Sequence, residues 1–319
     1  MQDNLNSKYK SIVDFLQMSS EIYFNETGIK VKIEIVNDFS FNARVSKIEE
    51  KVYKIEIRHG CLCLENLIEN ITNRYTEDDL KSFWRFRKLN IFEKNAGDTY
   101  REELNQLFGS IILLHIFFHE CGHITAKYID KENGTYAEMQ PSDNGGYEKQ
   151  EQEMVADWLS TKFLYKSMFF ATIGTDKIDF EELLSILEQL TILYWLSLTI
   201  EFQIFDSVHT GDVPDYSLLT HPHPAVRLYY SLDAMQECIL DIFNIYGFDD
   251  MQAEYGVEYI VNNIYILIES YLQITETPIS IKKDDPQIMD CYITLRDVPY
   301  CSKVKDNYFH LIELPKEYR

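Results

Sequence analysis

Three short stretches hold the residues able to do chemistry. The first is His119-Glu120-Cys121-Gly122-His123, an HExxH pattern inside a long, mostly apolar run that reads as a buried helix over 101–129. A spacing of four places both imidazoles on one helical face, one turn apart, where they can share a metal ion. Glu120 lies about 100 degrees around the helix from His119, near enough to take a proton from a metal-activated water without being a ligand. Thirty-four residues after His119, Glu153 and Asp157 share one face of the next predicted helix. The economical assignment makes Glu153 the third zinc ligand, leaves a fourth position open for water, and sets Asp157 behind the ligands to orient an imidazole. The small Ala156 suits close packing of this helix on the first. The third stretch, Thr220-His221-Pro222-His223-Pro224-Ala225-Val226-Arg227, ends a loop and opens another helix, where proline is well placed.

Taken in order, HExxH, ExxAD and HPxxxxR resemble the gluzincin metallopeptidases of the CAAX-prenyl-protease and HtpX kind. The resemblance covers 119–227 and implies His119, His123 and Glu153 as zinc ligands, Glu120 as general base and Asp157 behind them. It further implies that His221 helps stabilise an oxyanion and that Arg227 braces the acidic residues through a forked hydrogen bond. The sequence departs from the membrane-embedded members in having no recognisable spans around the HExxH. In layout it looks more like the soluble Lit-type phage-exclusion peptidases, which implies cleavage of an intracellular protein during phage exclusion. The fold implied is α+β, a mostly helical zincin-like core with a small antiparallel sheet near the N-terminus.

Other residues compete for the same roles. His115, one turn before His119, extends the histidine stripe and is an alternative ligand, although its apolar setting favours a hydrogen-bonded core histidine. His223 competes with His221, which is preferred for its match to the third motif. Cys121 points away from the metal on the helical wheel and reads as packing.

The elements that must position these groups follow from hydrophobic period. Alternation over 29–36 and again from Lys51 predicts two or three antiparallel strands, and 64–89 reads as helical and charged. The segment 131–149, with three Gly, a Pro and paired Asn and Asp, reads as a loop. Helices follow over roughly 150–172, 179–206, 222–246 and 251–274, and the tail from Ile279 reads as mixed. With no internal repeat or low-complexity linker, one domain over 1–319 is expected, divided into 1–100, a catalytic core over 101–247 and an extension over 248–319.

Composition narrows the function classes. Thirty Lys and Arg against 52 Asp and Glu give a net charge of −22, which repels phosphate backbones and anionic lipid. Six cysteines in 319 residues do not form a disulfide framework. The polar start, MQDNLNSKYK, lacks a signal-peptide layout, and the apolar stretch 190–200 is too short to span a bilayer. The expectation is a cytoplasmic zinc endopeptidase with a protein or peptide substrate, no nucleic-acid partner and no membrane insertion. An activating partner is also expected, because an unrestrained intracellular protease would harm its own cell. The alternative is a non-catalytic, metal-containing sensor or binding module that uses the acidic surface.

Overall fold

The structure is a computed structural model and describes residues 9–24, 28–64, 68–69, 73, 86, 100–126, 135–137, 147–173, 178–209, 221–275, 290, 292–293 and 295. Helix α1 (Lys10–Phe24) precedes strands β1 (Lys30–Val36), β2 (Ala43–Glu49) and β3 (Val52–Arg58), and a short 3-10 turn, His59–Leu62, follows. Then come α2 (Tyr100–Thr125), β4 (Thr135–Ala137), α3 (Tyr147–Ile173), α4 (Phe180–His209), α5 (Pro224–Ile245) and α6 (Asp250–Thr275). The class is α+β, with the sheet near the N-terminus, as the hydrophobic periods predict. The helical reading of 64–89 and the tail from Ile279 fall almost entirely outside the described residues.

The sheet corrects one expectation. Its order is β1-β3-β2-β4, and β1 pairs with β3 in parallel, Lys30 opposite Val52 through Val36 opposite Arg58. The other two pairings are antiparallel, so the sheet is mixed. The reason lies in β3, which buries Tyr53, Ile55, Glu56 and Ile57 and takes the central position between β1 and β2. A tight turn with Lys51 at φ 59° returns the chain from β2 into β3. The strand β4 lies inside the stretch read as a loop and pairs with β2 through Ser46, Val45 and Arg44.

Helix α1 packs on β1, while α2 packs on β2 and β3 and joins the sheet to the helical layer. Two helices, over Arg101–Thr125 and Phe180–Phe202, are long and apolar enough to cross a membrane by length and composition alone. The apolar run in α4 is thus longer than the eleven residues first recognised. Both are packed against the rest of the fold, which accounts for their composition.

The helix ends are built from side chains and turns. Asp179 caps α4 by accepting from the Glu182 amide at 2.9 Å. The link from α5 to α6 is a Schellman turn: Gly247 at φ 82° allows the Phe248 amide to donate to the Phe243 carbonyl and its own amide to donate to Asn244. Asp249 and Gln252 then form a reciprocal capping box at the start of α6. Buried Lys162 of α3 reaches Glu237 at 3.2 Å and Asp241 at 3.4 Å, tying α3 to α5.

Candidate metal centre

Helices α2 and α3 approach unusually closely at one point. A Cβ on Gly122 would stand 2.8 Å from the Ala156 Cα, so glycine inside the HExxH is what permits the contact. Three residues away on α3, Glu153 meets the histidines of α2. His119 Nε2 lies 3.1 Å from His123 Nε2 and 3.1 Å from Glu153 Oε2, and His123 Nε2 lies 3.7 Å from Glu153 Oε1. All three side chains are buried, and together they form a group able to hold a metal ion.

The spacing fits a cation. Two donors each 2.0–2.1 Å from a tetrahedral metal stand about 3.3 Å apart, within the range of the three distances here. The chemistry of the set fits as well: two imidazoles and one carboxylate, donors that a divalent cation such as zinc takes, converge in a buried site.

Behind His119 the structure places the two residues that the sequence assigned to support. His119 Nδ1 donates to Asp157 Oδ1 at 2.8 Å. Arg227 grips the same carboxylate through a fork, Nε to Oδ2 at 2.7 Å and Nη2 to Oδ1 at 2.8 Å. The Arg227 guanidinium rests 4.6 Å from the centre of the Phe202 ring, so α4 supplies the floor for it. Sequence reasoning missed Phe202, which has no spacing signal to mark it.

The charges are strongly coupled to this geometry. Burial pushes Asp157 up, but the Arg227 guanidinium and His119 outweigh it and hold the carboxyl well below the usual range. Glu153 is likewise raised by burial and lowered further by His221, His123 and His119, ending well below its ordinary value. Burial lowers His119 too, yet Asp157 and Glu153 hold its imidazole well above the ordinary value. For His123 burial dominates and takes it down to about 3.

The remaining candidates separate cleanly. Glu120 is fully buried in α2 between His119 and His123 in sequence. His221 Nε2 lies 3.8 Å from Glu153 Oε1 with its side chain 17% exposed, the most open of the group. His223 instead caps α5, its Nδ1 accepting from the Ala225 amide at 3.1 Å, which leaves His221 as the histidine beside the centre. His115 is held by Glu201 of α4, Nδ1 to carboxylate at 2.9 Å, in keeping with a hydrogen-bonded core residue. In the sequence Glu201 borders the apolar stretch 190–200, and no local spacing marks it as a partner of His115. Cys121 is buried, and burial pushes its thiol up.

No protein-family model, curated protein or solved structure matches the chain. The site is therefore read from its own residues.

Proposed function

We propose that the chain is a zinc-dependent endopeptidase of the gluzincin kind, with His119, His123 and Glu153 as the zinc ligands. The observation that supports this most is the meeting of an intact HExxH with a glutamate and a braced aspartate from a second helix. Two histidines and one carboxylate are a donor set suited to zinc with one position left open. Bound there, the metal would supply Lewis acidity towards a peptide carbonyl and a water.

The chain's own groups do the rest. Glu120 takes the proton of the attacking water and holds it for the departing amine. Asp157 accepts from His119 Nδ1 and so fixes the tautomer that leaves Nε2 facing the other ligands. Arg227 keeps Asp157 charged and in place through its fork. His221, at the more open side of Glu153, donates to the oxygen that gains charge as the carbonyl is attacked. The substrate is an intracellular protein, and the Lit-type layout makes phage exclusion the setting in which its cleavage would matter.

The test compares new protein N-termini in cells expressing the wild type with those in cells expressing Glu120→Gln. One or a few termini found only with the wild type are expected, and a zinc-loaded wild type that produces none in phage-infected as well as uninfected cells would overturn the reading. Metal analysis accompanies it: Glu120→Gln should keep zinc and Glu153→Ala should lose it. Full zinc in Glu153→Ala would sink the ligand assignment.

A further inference from the structure

Helix α6 turns a patterned face to solvent at the far end of α5 from the metal centre. Met251, Tyr255 and Tyr259 follow one another at intervals of four and are 76%, 57% and 39% exposed. That spacing forms one continuous apolar line about 12 Å long. Asp250, Glu254 and Glu258 repeat the same interval one residue earlier, so an exposed carboxylate line runs beside the apolar one. None of these three carboxylates forms an ion pair among the described residues. From Leu228 to Ile281 the sequence has nine Asp or Glu and no Lys, Arg or His; Glu237 and Asp241 of α5 pair with Lys162 and Lys166 of α3, whereas the carboxylates of α6 add to a negative field at its surface.

The face is also rigid. Gly256, on the buried side of α6, seats the helix on the Phe243 ring, where a Cβ would fall 2.4 Å from Cζ. Tyr255 leans on Phe180 with ring centres 6.4 Å apart, and Tyr259 on Tyr255 at 6.3 Å, so an aromatic chain leads from the core to the surface. The Schellman turn and capping box fix where the helix begins. Side chains ordered before binding lose little freedom when a partner arrives.

We propose that this face of α6 docks a basic amphipathic helical segment of another protein. Its apolar side chains would lie along Met251, Tyr255 and Tyr259, and its Lys or Arg would meet Asp250, Glu254 and Glu258 and the tyrosine faces. Complementarity of charge selects this occupant over a second copy of the chain, which would bring carboxylates against carboxylates. In the described part of the chain's own C-terminal segment, Tyr292 is engaged elsewhere, with Tyr229 and Asp233 of α5. The inference does not rest on the metal centre.

The test uses the full chain and a synthetic 16-residue helix-forming peptide with Leu at intervals of three and four and Lys on both flanks. A scrambled peptide of the same composition serves as control, and binding is followed by calorimetry. The expected result is binding of the patterned peptide at least tenfold tighter than the scrambled one. Affinity should fall at least tenfold in Tyr255→Ser/Tyr259→Ser and in Glu254→Lys/Glu258→Lys, with unchanged thermal melting. Equal binding of both peptides, binding unaffected in the charge-reversal variant, or no binding at millimolar peptide would each overturn the proposal. So would a wild-type dimer in light scattering that Tyr255→Ser/Tyr259→Ser abolishes, because the face would then belong to a second copy.

Discussion

His115 and His119 stand one turn apart on α2, and each donates through Nδ1 to a buried carboxylate from another helix, Glu201 at 2.9 Å and Asp157 at 2.8 Å. Their surroundings then diverge. His119 Nε2 faces His123 and Glu153, whereas His115 Nε2 has no hydrogen-bond partner among the described residues and its ring is bordered by Tyr194 and Phe202. A carboxylate behind an imidazole is thus shared wiring, and convergence of a second helix is what brings one of the two into a group able to hold a metal ion. The carboxylates differ as well. Arg227 compensates Asp157 through two hydrogen bonds, while His115 is the sole side chain hydrogen-bonded to Glu201 among the described residues.

The sharpest way to break this comparison is metal content. On the proposed function, His119→Ala should lose zinc and His115→Gln should keep a full complement, both read by elemental analysis of purified protein. Equal loss in the two variants would erase the distinction. Next in size is the buried fork: Arg227→Leu leaves buried Asp157 with His119 as its remaining partner and should cost about 3–5 kcal/mol, measured by denaturant unfolding of the metal-free chain. Asp157→Asn should weaken metal binding roughly 10–100-fold, since an amide holds the His119 tautomer less firmly. The equivalent Glu201→Gln should leave metal affinity unchanged.

The contrast between these two histidines also shows what the sequence can reveal. His119, His123, Glu153 and Asp157 were legible because helical spacing fixes which side chains share a face, and the pairs His119/His123 and Glu153/Asp157 each lie within a single helix. Arg227 was legible only through the order of the motifs, since nothing local ties it to a carboxylate 70 residues earlier. Glu201 and Phe202 were not legible as partners of the site, because their roles depend on how α4 crosses α2 and α5. In the sheet, the period of two revealed the strands β1 and β3, but strand order is a matter of tertiary pairing. The insertion of β3 between β1 and β2 therefore appeared only in three dimensions. Gly122 occupies a position where the motif accepts many residues, so its packing role emerged only from the contact with Ala156.

That contact sharpens the comparison in another way, because it lies next to His123 and three residues from Glu153 but leaves the neighbourhood of His115 untouched. Gly122→Ala should force α2 and α3 apart near the ligands. The expected cost is about 1–3 kcal/mol, with weaker metal binding and an unchanged His115 to Glu201 pair. Chemical unfolding and zinc competition on the same variant measure both, and retained zinc affinity would mean that the helices shift without moving Glu153.

The smallest effect belongs to a third carboxylate, set where water can reach its partners. Glu56 on β3 is paired with Arg44 and with Lys54, the latter at 2.7 Å, and the two cations are 44% and 32% exposed. Burial raises Glu56, but hydrogen bonds from Arg44 and Lys54 bring it below the usual glutamate range. Because the folded-state value lies below the unfolded one, this stabilisation is present above about pH 4.3 and is lost as pH falls through the folded value. Solvent screening of the exposed partners limits it to about 0–1 kcal/mol. Glu56→Gln should therefore be slightly less stable than wild type at pH 6, and the difference should be smaller at pH 3, in urea unfolding at the two pH values. A gap that widened on acidification would mean that Glu56 is held protonated by its burial, and that a cation at a strand surface does less for a carboxylate than Arg227 does in the core.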